Sequence, residues 1–205
     1  MARLNEDKTK TIYDSYDDYL TEQRKKFHQY DCPNCFQYNT ENIELVKSLG
    51  LNYDKILDCG ARDFSWSDPI TLEGKDCTGI DISPESVEWA RSKGRKMILG
   101  DVCSMSTIFS CNTFDLLVSN HNIEHILKVE QFLTEAYFVL KIGGHILIRC
   151  PHQTILDNDE GEGTLHCRTY NEEELKSLFS NGFNIVFYKY LKETHEHIII
   201  GKKVI

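Results

Sequence analysis

From Lys55 onward, apolar runs of strand length alternate with amphipathic stretches of helix length. Few architectures accommodate that order. The runs KILDCG (55–60), CTGIDIS (77–83), KMILGDV (96–102), FDLLVSN (114–120) and HILIRC (145–150) read as strands. Between them lie SPESVEWARSKG (83–94) and VEQFLTEAYFVLKIGG (129–144), which read as helices. The first has Ser83 as cap, Pro84 at its first position and Gly94 past its end; the second is closed by two glycines. Strand–helix alternation is the signature of a parallel sheet with helices on both faces. Continuous apolar strands fit a sheet covered on both sides. A further helix spans NEEELKSLFSNG (171–182), with Asn171 as cap and acids in its first turn. The last runs, FNIVFYKYL and HEHIIIGKKVI, are too close for a crossover helix and should pair antiparallel. Upstream, TENIELVKSLG reads as a short helix capped by Thr40, with Ile43, Val46 and Leu49 on one face and Gly50 as its stop.

Length and composition bound the rest. The chain has 205 residues, enough for one domain with a full core. Hydrophobic residues make up 40% and mean hydropathy is −0.41, as expected of a soluble globular chain. No apolar run approaches the ~20 residues of a membrane helix, and the polar start MARLNEDKTK has no signal-peptide core. A cytoplasmic location is therefore expected. The net charge of −9 argues against a surface built to grip nucleic-acid phosphates. The eight cysteines sit mostly in or beside apolar runs, where a reduced thiol acts as a small hydrophobe.

In an open parallel sheet, ligands bind beyond the carboxyl ends of the strands. Those ends carry Asp58, Gly60 and Ala61; then Asp81; then Asp101; then Ser119, Asn120 and His121; then Cys150, Pro151 and His152. Asp81 lies 21 residues after Gly60, a spacing that suits a carboxylate accepting from ribose hydroxyls. Asp101 is placed to accept from an adenine amino group. Asp58 either orients the loop or meets a ligand amine.

These stretches, ILDCGARDFSW, CTGIDISPESVEWARSKG, MILGDV and FDLLVSNHNIEHI, resemble the successive motifs of class I S-adenosylmethionine-dependent methyltransferases, closest to the small-molecule group. The resemblance covers roughly residues 54–205 and extends to GTLHCRTYNEEELKSLFSNGF. It implies a Rossmann-like, doubly wound, mostly parallel seven-stranded sheet with an antiparallel C-terminal strand pair. It implies an N-terminal helical or lid segment over 1–50 and a methyltransferase domain over 51–205. Gly60 and the backbone near Ala61 would approach the methionine part of S-adenosylmethionine. Asp81 would hold the ribose, Ile82 would pack on adenine, Asp101 and the Val102 backbone would read the adenine edge, and Asn120 would lie near the sulfonium. The family commonly shows Asp-x-Gly-x-Gly-x-Gly; here Arg62 and Phe64 stand at the second and third glycines. A nicotinamide dinucleotide fits less well, because GARDFS lacks the later glycines that a pyrophosphate needs.

Methyl transfer needs a base only when the acceptor must lose a proton, and histidine suits that near neutral pH. His121 and His166 are the candidates. His166 shares its loop with Arg168 and Tyr170, a trio suited to a carboxylate, phosphate or phenolate. His125 in NIEHI reads first as part of the pocket wall. The expected acceptor is a small molecule, methylated at oxygen or nitrogen; a protein substrate stays open. SNHN after the fourth strand is not the Asn/Asp-Pro-Pro-aromatic motif of exocyclic-amine enzymes. The acidic run DNDEGEG (157–163) reads as a solvated lid. His28, Cys32 and Cys35 supply three of the four ligands that zinc takes, so a turn is the default there and no metal is expected. A non-catalytic relative, and a small metal-stabilised module, are the readings from other classes.

Overall fold

The structure is a computed structural model in which residues 2–4, 11–24, 33–62, 73–152, 166–180 and 182–205 are described. A short hairpin pairs β1 (Ala2–Leu4) with β2 (Thr11–Tyr13) and leads into α1 (Tyr16–Arg24) and α2 (Pro33–Ser48). The main sheet contains β3 (Lys55–Cys59), β4 (Asp76–Asp81), β5 (Met97–Leu99), β6 (Phe114–Asn120), β7 (Leu140–Pro151), β8 (Phe183–Leu191) and β9 (Glu196–Lys203). Helices α3 (Pro84–Ser92), α4 (Val129–Val139) and α5 (Glu172–Ser177) lie between them. Strand order is β5-β4-β3-β6-β7-β9-β8, seven strands in all. β3, β4, β5, β6 and β7 are mutually parallel, and β9 pairs antiparallel with both β7 and β8. This is the doubly wound, mostly parallel sheet with a closing antiparallel pair that the pattern predicts.

Alternate strand residues divide between two cores, as the pleat requires. Ile56, Leu116, Val118, Leu147 and Ile200 pack with Ile43 and Val46 of α2 and Val87 and Ala90 of α3. Leu57, Leu117, Ile146, Ile148 and Ile199 pack with Phe132, Leu133 and Ala136 of α4 and with Phe179. Both faces of the central strands are buried, which is why those strands are mostly apolar.

The caps follow the sequence in two helices and not in the others. Ser83 accepts from Ser86 N at 3.3 Å with Pro84 at the first helical position. Asn171 and Glu174 form a reciprocal capping box at 2.9 and 3.0 Å. Thr40 is not a cap: α2 begins at Pro33 and carries Thr40 in mid-helix. Gly143 and Gly144 do not close α4, which ends at Val139 and passes directly into β7 at Leu140. Gly144 lies inside the strand, where a Cβ would meet the carbonyls of Lys141, Phe114 and Asp115; the glycine serves sheet packing. Phe64, His28, Cys32 and the run 157–163 lie outside the described residues, and Cys35 falls within α2. Among the described residues, no helix is long and apolar enough to cross a membrane.

Candidate functional site: a cleft at the strand switch

β3 has β4 on one side and β6 on the other, so the strand order reverses there and opens a crevice at the carboxyl ends. A cavity of about 260 Å³ occupies it. Its lining draws on the loop after β3, the end of β4, the turn after β5, the turn after β6, α1 and His166.

One half is a pair of carboxylates in a backbone frame. Gly60 and Ala61 donate their N–H groups to Ile80 O at 2.9 and 3.2 Å, which pins the loop to the end of β4. Gly60 has φ +70°, and a Cβ there would collide with the Asn122 side chain. Glycine is therefore required at this position on two counts. Arg62 also adopts the left-handed region, at φ +50°. Its N–H donates to Asp81 Oδ2 at 2.8 Å, and Ser83 N–H donates to Oδ1 at 2.8 Å. The second glycine position thus still has a left-handed backbone, which arginine tolerates at a cost of roughly 1–2 kcal/mol. Burial raises the Asp81 pKa, and the two N–H donors partly offset that by favouring the ionised carboxylate. At the end of β5, Asp101 Oδ1 accepts from Cys103 N–H at 2.8 Å. Its Oδ2 accepts from Tyr16 OH of α1 at 2.6 Å. Lys128 Nζ stands 3.6 Å from the Tyr16 ring centroid, so α1 is clasped to the rim by a hydrogen bond and a cation–π contact.

The other half is rich in imidazole and acid. His121 follows β6 with φ +47° and donates its N–H to Arg149 O at 2.8 Å. Its Nε2 lies 2.5 Å from Glu196 Oε1, and its Nδ1 lies 3.6 Å from Glu124 Oε1. Glu196 Oε2 accepts from Arg149 Nε and Nη2 at 3.0 and 2.6 Å and from Thr194 Oγ1 at 2.7 Å. Arg149 is fully buried, and its Nη1 reaches Glu41 of α2 at 3.1 Å. Burial alone would lower the His121 pKa; the two carboxylates outweigh it and raise it to about 9. Burial alone would raise that of Glu196; His121, Arg149 and Thr194 hold it down at about 2. Glu124 is buried, and its Oε2 has no hydrogen-bond partner among the described residues. His125 and His166 have ring centroids 4.8 Å apart. Glu124, His125 and His166 bring ligand-type atoms within 4.8 Å of one another, three donors where a closed structural zinc site takes four.

Of the residues singled out from sequence, Gly60, Asp81, Ile82, Asp101, Val102, His121 and His166 line this one cavity. Asp58, Ala61 and Asn120 are not part of its lining. Asp58 is 2% exposed within β3, and Ala61 packs against the α2–α3 core. Asn120 Oδ1 accepts from Asn42 Nδ2 at 3.4 Å. Sequence reasoning missed Tyr19 and Gln23, which α1 contributes to the cavity. It also missed the Arg149–Glu196 pair behind His121. Arg149 sits inside an apolar strand run and Glu196 opens a strand between two histidines, so only a charge against the pattern could have drawn attention.

The fold and the paired carboxylates are those expected around a nucleoside-bearing cofactor. Residues 57–148 match the methyltransferase-domain family. The chain carries a class I S-adenosylmethionine-dependent methyltransferase domain. Human mitochondrial ubiquinone biosynthesis O-methyltransferase is 32% identical over 110 residues, covering 50% of this chain and 30% of that protein. Demethylmenaquinone methyltransferase of Tropheryma whipplei is 28% identical over 105 residues, covering 50% of this chain and 44% of that protein. The chain therefore spans less than half the length of these curated relatives. A solved S-adenosylmethionine-dependent methyltransferase of Thermotoga maritima superposes with a TM-score of 0.66 at 20% identity, covering 81% of this chain and 89% of that one. That last likeness is one of fold.

The methyltransferase domain uses S-adenosylmethionine, and the donor set here fits it. The buried carboxylate of Asp81 would suit ribose hydroxyls, and the half-buried Asp101 would suit an adenine amine. Ile82, which also lines the cavity, would give the base an apolar surface.

Proposed function

We propose that this chain binds S-adenosylmethionine against Asp81, Ile82, Asp101 and Val102 and methylates an oxygen or nitrogen of a small-molecule acceptor seated against His121, Glu124 and His166. The supporting observation is the split character of one cavity: paired carboxylates in a backbone frame at one end, imidazoles and a buried acid at the other. The cofactor supplies an activated methyl group. The protein's own work is to hold the acceptor in line, exclude water and accept a proton where the acceptor has one to lose. Asp81, with both oxygens already fixed by Arg62 and Ser83 N–H, presents its remaining lone pairs in a set direction. Tyr19 and Gln23 close the cleft from α1, which shields the reacting atoms from solvent. The relatives named as O-methyltransferases support oxygen over nitrogen.

The test is isotope-labelled methyl transfer from S-adenosylmethionine to a panel of small catechols, hydroxybenzoates and aromatic amines, followed by mass spectrometry. A methylated small molecule formed by the wild-type protein and lost in Asp81→Ala supports the reading. Bound cofactor with methyl incorporated only into added protein would overturn the small-molecule acceptor.

A further inference from the structure

Glu196 stands behind His121 and does not line the cavity, whereas His121 does. That is the arrangement of an imidazole oriented by a third group. The third group is itself fixed: Arg149, fully buried, grips Glu196 Oε2 through both Nε and Nη2, and Thr194 adds a further donor. A carboxylate 2.5 Å from Nε2 requires a proton on that nitrogen. Nδ1 is then the nitrogen turned toward Glu124, at 3.6 Å, longer than an ordinary direct hydrogen bond. The Oε2 of Glu124 is buried with no hydrogen-bond partner among the described residues. Nδ1 in that tautomer and the ionised Glu124 carboxylate both accept, so two neighbouring hydroxyls of one acceptor molecule, one donating to each, would satisfy them.

Resting on the function proposed above, we propose that Glu196 is a positioning residue that holds the Nε2–H form of His121, leaving Nδ1 as the base toward an acceptor hydroxyl, so that the substrate class is an alcohol or phenol. The step balances without further reagents. The acceptor oxygen forms a bond to the methyl carbon, and the S–CH₃ bond breaks with its electron pair left on sulfur. The hydroxyl proton passes to Nδ1 and then to solvent, and S-adenosylhomocysteine leaves. The groups facing this imidazole are Glu124 and His125 from the turn after β6, Glu196 from β9 with Arg149 of β7 behind it, Glu41 of α2 behind Arg149, and His166 across the cavity. With two carboxylates beside it, His121 is protonated at neutral pH, so the base form and the rate grow as pH rises toward about 9.

The test is nitrogen-15 NMR of the histidine side chains in the full chain with S-adenosylhomocysteine bound, for wild type and Glu196→Gln, with catechol as the probe. In the wild type, deprotonated His121 should be the Nε2–H tautomer, and catechol should perturb Nδ1. In Glu196→Gln the pKa should fall by about one unit or more, because the carboxylate charge is gone while glutamine still fills its place. The rising limb of catechol methylation should move to lower pH with it. His121 as the Nδ1–H tautomer, or an unmoved pKa in Glu196→Gln, would overturn the inference while cofactor binding stood. A wild-type protein that fails to bind S-adenosylhomocysteine would instead sink the function on which it rests.

Discussion

Arg62 carries the departure from the glycine-rich pattern, and its backbone resolves the question that departure raises. The position keeps a left-handed φ of +50° and a working N–H on Asp81. Arg62→Gly removes the strain but adds unfolded-state entropy, two effects of roughly 1 kcal/mol and opposite sign. Stability should therefore shift by less than about 1 kcal/mol, and S-adenosylhomocysteine affinity should be retained, both read by calorimetry. Gly60→Ala should behave differently. It places a methyl against the Asn122 side chain at φ +70°, so it should destabilise the protein and weaken cofactor binding together. Unchanged melting and binding in that variant would show that the loop is looser than the structure has it. Sequence spacing was enough to pick out Gly60, Asp81 and Asp101, because strand-end position and chemistry coincide there. It could not separate Asn120, which bonds to Asn42, from its neighbour His121, which turns into the cavity through a positive φ.

At the scale of elements, the strand–helix order was legible because the central strands are buried on both faces and are mostly apolar. The boundaries that failed were those set by tertiary contact. α2 runs back to Pro33, seven residues before the Thr40 cap signal, and α4 yields to β7 at Leu140, so that Gly144 packs within a strand against neighbouring backbone. The role of α1 was least visible, since its aromatic residues acquire meaning only against Asp101 and Lys128. Tyr16→Phe deletes the bond to Asp101 Oδ2 while keeping the ring under Lys128. The variant should melt lower by an amount corresponding to about 0.5–1.5 kcal/mol. An unchanged melting temperature would mean that α1 is not clasped through this bond.

For the whole molecule, the Glu41–Arg149–Glu196–His121 chain ties α2, β7, β9 and the turn after β6 together beneath the cleft. Arg149→Met leaves Glu196 buried without its guanidinium and should cost about 3–5 kcal/mol, measured as a fall in the denaturant midpoint. The same network sets a pH window. Glu196 is held near 2, below its ordinary 4.5, so its contribution is present above about 4.5 and is lost as pH falls toward 2. His121 is raised from 6.5 to about 9, so its contribution is full below 6.5 and is lost as pH rises toward 9. Thermal stability should therefore decline on both sides of that window, and the alkaline decline should vanish in His121→Asn. The central claim is that this cleft, with arginine in its glycine loop, holds S-adenosylmethionine through Asp81. Calorimetric titration of the wild type and Asp81→Ala with S-adenosylhomocysteine tests it most directly. The account predicts binding to the wild type and a loss of about 1–3 kcal/mol, roughly fivefold to 150-fold, in the variant. Equal affinity in the two proteins, or none in either, would contradict it.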